Sequence, residues 1–150
     1  MKVTMKLEGD KELRRYLKNM CDEKIGQFKK ETYASALDVQ KKAKKNLKEM
    51  GSWDLGNLAN TILVDKVEGG LAAEIGPTAP YGPHVEYGTR PHFPPPDALE
   101  GWAKRHGFDS AWPICLVIAK RGLPAKPYLL PAYLAIVDKY FNRLKGICEK

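Results

Sequence analysis

Between Ile25 and Met50 an apolar or small residue returns at every third or fourth position: Ile25, Phe28, Thr32, Ala36, Val39, Ala43, Leu47 and Met50. That spacing matches the 3.6-residue turn, so these side chains form one stripe along a helix of about seven turns. A helix of this length with a single apolar face does not stand alone in water, because its stability comes from packing that face. The chain is therefore committed to a fold in which other elements lie along this helix. Gly51 is the expected stop. Successive residues advance by about 100°, which sets Lys41, Lys44, Lys45 and Lys48 on the side away from Val39, where they do not pack. Ahead of the long helix, Asp10 is a candidate cap for a short separate helix carrying Leu13, Tyr16, Leu17 and Met20.

Beyond Gly51 the pattern changes. Ser52 to Asn60 reads as a loop. Thr61 to Glu68 and Leu71 to Ile75 flank Gly69-Gly70, which predicts two antiparallel strands joined by a two-residue turn. A third short extended piece is expected at His84 to Tyr87, ending at Gly88. The prolines from Pro91 to Pro96 remove backbone donors and fix φ, so this stretch is an extended loop. Asp97 then looks like the cap of a helix over Ala98 to His106, Gly107 breaks it, and a second helix starts at Asp109 or Ser110 and runs to Lys120 with Pro113 in its first turn. Pro124 to Leu130 is expected to be extended. Leu134, Val137, Phe141, Leu144 and Ile147 share a stripe on a final helix. These elements predict an α+β fold, with a long N-terminal helix and a C-terminal helix packed on a small antiparallel sheet.

The 150 residues suffice for one domain with its own core, and 43% hydrophobic with 29% charged residues is ordinary globular composition. The longest uncharged apolar run, Ala111 to Ala119, falls far short of the roughly 20 residues that span a bilayer, so no membrane association is expected. Cys21, Cys115 and Cys148 are odd in number and widely spaced, which suggests neither a disulfide framework nor a zinc site. The net charge of +7 is concentrated early: residues 1–50 hold 14 Lys+Arg against 8 Asp+Glu, the rest 11 against 10. Such asymmetry fits either a solvated helix face or nonspecific contact with nucleic acid.

Catalytic signals are weak. His84 and Glu86 share one side of the expected extended segment and form the nearest approach to a general-base pair, yet no nucleophile motif accompanies them. His84, His92, His106 and Cys115 match no zinc spacing. The Phe93-Pro94-Pro95-Pro96 run stiffens a loop or serves as a short polyproline ligand. The paired helices around Gly107 resemble a helix-turn-helix, but the second one, Ala111 to Ala119, has no Arg, Asn or Gln to read base edges. No catalytic residue, metal or cofactor is expected.

Three segments in order carry a resemblance: Trp53-Asp54-Leu55-Gly56-Asn57-Leu58-Ala59-Asn60-Thr61-Ile62, Tyr81-Gly82-Pro83-His84-Val85-Glu86-Tyr87-Gly88-Thr89, and Pro124-Ala125-Lys126-Pro127-Tyr128-Leu129-Leu130-Pro131-Ala132. They resemble the D-T-G-x-L-x-x-S-I-like, Y-A-x-x-V-E-x-G-T-like and P-F-L-R-P-A-like segments of the head-tail joining, or neck, proteins of long-tailed bacteriophages, known as gene-product-ten-like minor tail components. The match runs over roughly residues 10 to 145, and V-E-Y-G-T and P-Y-L-L-P-A are its specific parts. Leu55, Asn60-Thr61 and Leu130 depart from the commoner Thr, Ser and Arg.

The resemblance implies a single head-tail joining domain over 1–150, in which 91–123 is an inserted Pro-rich loop and helical hairpin found in a subset of the family. It implies a virion protein, present in the host cytoplasm during assembly, that forms a ring-like homo-oligomer and docks onto connector, head-closure and tail proteins. Glu86, Tyr87, Gly88, Arg90, Tyr128 and Leu129 are the expected assembly interface. Within it Gly88 allows a sharp turn and Glu86 pairs with Arg90 or a neighbouring subunit, while Tyr128 anchors a rigid extended piece bracketed by Pro127 and Pro131. Lys41, Lys44, Lys45 and Lys48 are the candidates for facing packaged DNA. A nucleic-acid-binding protein is the rival reading.

Overall fold

The computed structural model describes residues 10–51 and 56–149. Ser52, Trp53, Asp54 and Leu55, the opening of the first motif and of the expected loop, lie outside the described residues. So does the side chain of Asp10, where a cap was expected.

Helix α1 spans Asp10–Glu49, a single 40-residue rod of about 60 Å. The expected break between a short helix and a long one does not occur. Gly26 sits inside the rod and costs about 1 kcal/mol, which continuous packing of the following turns outweighs. The inward line is the predicted one: Ala36, Val39, Ala43 and Leu47 are buried, with Thr32. Ser35 and Asn46 join them as buried polar groups that hydrophobic spacing did not mark. Gly51 adopts φ +63° and ends the helix region.

A short helix α2, Asn57–Asn60, occupies what read as loop and buries Leu58 and Ala59. Strands β1, Ile62–Val67, and β2, Ala72–Pro77, pair antiparallel with Ile62 opposite Pro77 and Val67 opposite Ala72. The turn is longer than the expected Gly69-Gly70 pair. Glu68, Gly69 and Gly70 form a 3-10 turn in which all three have positive φ, so the reversal is spread over left-handed residues. One face of the hairpin lies on α1, where Ile62 is fully buried and the Gln40 amide donates to its carbonyl at 2.6 Å.

The expected third strand at His84 to Tyr87 is a helix, α3, Gly82–Tyr87. Pro83 supplies the fixed φ of a first helical turn, and the two-stranded sheet offers this segment no ladder. Helices α4, Pro96–Arg105, and α5, Trp112–Arg121, form the expected hairpin about Gly107. Asp97 lies in the first turn of α4 with Pro95 as N-cap. Ala103, Ala111 and Cys115 make a small core here, packed by Leu99, Trp102 and Ile114.

The final helix α6 covers Leu129–Cys148, so Leu129 and Leu130, expected to be extended, are helical. It runs antiparallel to α1, with the Thr32 hydroxyl 3.1 Å from that of Tyr140 and the Lys24 ammonium donating to the Ile147 carbonyl. Arg143 on α6 meets Glu31 at 2.9 Å and Asp38 at 3.6 Å on α1. The packed line is the predicted one only in part, since Val137, Leu144 and Ile147 are half-buried. Ala132 is buried and Ile136 packs on the core, whereas Leu134 and Phe141 are 58% and 53% exposed. The result is α+β: two antiparallel helices and a hairpin around Val39, Ala43, Leu47, Ile62, Tyr128 and Ala132, with an inserted helical pair.

Candidate assembly surface

The V-E-Y-G-T and P-Y-L-L-P-A segments are two halves of one clasp. An α-helix begins with backbone N–H groups that have no partner in the helix. At the start of α6 a buried carboxylate supplies one: Glu86 Oε2 accepts from the N–H groups of Tyr128 at 2.8 Å and Leu129 at 2.9 Å, and Oε1 from that of Leu130 at 3.0 Å. Each bond is charge-assisted, and the negative group sits at the positive end of the helix dipole. Glu86 is 6% exposed.

Within the chain the partners of Glu86 are these backbone N–H groups and not Arg90, and both its oxygens are engaged by them. Tyr128, 1% exposed, is likewise an internal anchor. Its carbonyl accepts from the buried Asn46 amide at 2.9 Å, which ties the clasp to α1. Burial, reinforced by the charge of Glu86, pushes the Tyr128 hydroxyl up to about 12.

The strand-like strap before α6 completes the clasp. Lys126 N–H donates to the Val85 carbonyl at 2.8 Å and Thr89 N–H to the Leu123 carbonyl at 2.9 Å, while the Thr89 hydroxyl accepts from Leu123 N–H at 3.0 Å. Gly88 and Gly122 face this crossing with φ near +70°. A Cβ on Gly88 would lie 2.5 Å from the Leu123 carbonyl oxygen, and one on Gly122 2.0 Å from that of Thr89. Both positions therefore require glycine for space as well as for φ.

Of the remaining expected interface residues, Tyr87 is 78% exposed and Arg90 is exposed, whereas Leu129 is half-buried and packs against the core. Arg90, with His84, His92 and His106, lines an open groove of about 1390 Å³ between the clasp and the α4–α5 pair. His84 and Glu86 are not brought together. Two residues apart on a helix they point to different sides, Glu86 inward to the clasp and His84 to the groove. Cys115 is buried in the α4–α5 core, and the described residues hold no His, Cys, Asp and Glu group able to bind a metal. In α5, Cys115 and Ile118 point inward and Trp112, Leu116 and Val117 outward, and its cationic side chains, Lys120 and Arg121, stand in the last turn rather than at the N-terminal end that reads bases in a helix-turn-helix. Lys41, Lys45 and Lys48 are exposed and Lys44 half-buried, and Lys45 meets Glu49 at 3.5 Å.

Sequence reasoning missed Asn46 and the capping role of Glu86, since their partners lie 82 and 42 to 44 residues away. It also missed the apolar outer side of α6. No helix among the described residues is long and apolar enough to cross a membrane.

Neither the curated proteins nor the solved structures returned a match. A family model described as "Bacteriophage HK97-gp10, putative tail-component" matches residues 11–88, from the first turns of α1 to the glycine of the clasp. Residues 11–88 are more than half of the 150 in the chain, and the chain accordingly belongs to the HK97-gp10-like family of bacteriophage tail components.

Proposed function

We propose that this protein is a structural, non-catalytic virion component of a tailed phage or prophage that acts in head-tail joining or tail completion. It is made in the host cytoplasm and taken into the virion, where copies associate in a ring and dock onto connector, head-closure and tail proteins. Residues 91–123 are read as an insertion in the single joining domain; the family match ends at Gly88, just before it. The observation that carries the reading is the exposed apolar surface on a clasped body: Tyr87, Trp112, Leu130, Leu134 and Phe141 are each more than half exposed. Surface of this kind marks protein contacts. Tyr87, Arg90 and Leu129 are assigned to the docking edge, held in place by Glu86, Gly88 and Tyr128 behind them.

The test is electron microscopy and protein composition of particles made with and without the gene. Separate filled heads and free tails in its absence, restored to joined virions by the wild-type chain, are the expected result. Normal virions without the gene would refute it.

A contact between Lys41, Lys44, Lys45 and Lys48 and packaged DNA is proposed as a second role, on the strength of the exposure of Lys41, Lys45 and Lys48, with Lys44 half-buried beside them. Replacing all four by Gln should lower duplex DNA binding and flatten its dependence on salt. Unchanged binding in a salt-titrated gel shift would exclude these lysines.

A further inference from the structure

The first turns of α1 carry an apolar line that α6 does not reach. The two helices are in register from Lys24 beside Ile147 to Asn46 beside Tyr128, so α1 continues past the end of α6 for residues 10–23, about 20 Å. Every residue from Lys11 to Met20 is exposed, including Leu13 at 47%, Tyr16 at 66%, Leu17 at 45% and Met20 at 41%. By helical phase, Leu13, Leu17 and Met20 continue the face of α1 on which α6 packs. This line is the extension of an interface the molecule already uses, and what complements it is an antiparallel helix with an apolar seam.

Such a seam exists on α6 itself. Leu130, Leu134, Val137 and Phe141 recur at intervals of four, three and four, the spacing of a helix-helix seam. As a line they lie about 125° around the helix from the side packed on α1; Leu130, Leu134 and Phe141 are 54%, 58% and 53% exposed, and Val137 is half-buried at the inner edge of the line, beside Ala36 and Val39. The two seams cannot meet within one molecule, because Leu134 sits beside the middle of α1, about 30 Å along the rod from Leu17.

We infer that the projecting first turns of α1 in one copy pack antiparallel on the Leu130–Phe141 seam of α6 in the next copy, joining copies head to tail. This contact uses the face of α1 that packs on α6 within the monomer, against a different line of α6, and rests on the self-association proposed above. Each copy then gives one surface and receives on another, so the contact is heterologous and propagates until the rotation closes a ring. The exposed halves of these side chains offer on the order of 400 Å² of apolar area, well below the burial of a stable binary complex. One such contact is weak and association is concentrated where copies are gathered or the ring closes.

The test uses the full chain and two surface substitutions, Leu17→Glu and Leu134→Glu, followed by sedimentation velocity across a concentration series. The wild type should form concentration-dependent species larger than dimers. Each variant alone should stay monomeric, and their equimolar mixture should stop at dimers, since one good arm and one good seam remain. In a Cys21→Ser, Cys148→Ser background, Leu17→Cys and Leu134→Cys proteins should be joined to each other by a short bismaleimide, and neither to itself. Wild-type association that survives both Glu substitutions, or Leu17→Cys joined to itself, would overturn this interface while leaving self-association intact. A wild type that stays monomeric and uncrosslinked at the highest concentrations would overturn the interface too, whereas the role in joining stands or falls on the virions made without the gene.

Discussion

Replacing Glu86 by Ala separates an internal role from an interfacial one. The substitution leaves three backbone N–H groups without an acceptor. That of Tyr128 is on a residue 1% exposed, and an unpaired buried donor costs about 1–3 kcal/mol. Those of Leu129 and Leu130 have partial access to water and lose about 0.5–1.5 kcal/mol each. Removing the charge from the helix N-terminus adds up to about 1 kcal/mol. With incomplete additivity the total is about 3–5 kcal/mol, a large share of the stability of an average domain. At about 2–4 °C per kcal/mol, circular dichroism melts should show Tm lower by about 6–20 °C. Glu86→Gln keeps an oxygen for the two N–H groups that share Oε2 and should cost only about 1–2 kcal/mol. If Glu86→Ala melts within about 1 kcal/mol of wild type yet fails to join heads to tails, the carboxylate serves a neighbour and the clasp account is wrong.

Two further perturbations probe the same region. Gly88→Ala and Gly122→Ala force a Cβ against backbone oxygen and should each destabilise by more than about 3 kcal/mol, whereas Gly51→Ala, with positive φ but open space, should lose about 1 kcal/mol; equal losses in denaturant titrations would show that space at the crossing is irrelevant. The Tyr128 hydroxyl is raised from 10.0 to about 12, so the folded state holds its proton more tightly, and stability that is complete below pH 10 is lost as pH rises toward 12, by on the order of 2–3 kcal/mol. Tyr128→Phe should flatten that alkaline loss relative to wild type, and parallel losses in the two proteins would rule Tyr128 out as its source.

What the sequence made legible follows from range. The α1 line was readable because Ala36, Val39, Ala43 and Leu47 obey one local period, and the hairpin because Gly69-Gly70 interrupts alternating residues. His84 to Tyr87 was misread as extended because four residues do not distinguish a strand from one helical turn, and the absence of a pairing strand is a tertiary fact. On α6 two apolar lines compete. The larger residues Leu134 and Phe141 suggested the buried side, but close approach to α1 selects the line containing Ala132, whose small side chain lets the helices meet. Local reasoning gave Glu86 a partner four residues away in Arg90, while its real partners begin at Tyr128. Local pattern singled out the segments around Glu86 and Tyr128, but the hydrogen bonds that join them span more than 40 residues and carry no local signal.

The pairing of α1 with α6 also orders events at the ribosome. Its contacts join residues 108 and 123 positions apart, as Thr32 with Tyr140 and Lys24 with Ile147. The last residue of α6 that seals the core is therefore made long after α1 has emerged, and at about 5–20 residues per second the interval is roughly 5–20 s. Throughout most of it the inward face of α1 has only α2 and the hairpin to cover it. Folding of this chain is consequently a late event in synthesis, governed by non-local closure, and ribosomes stalled before Tyr128 should carry a protease-sensitive nascent chain.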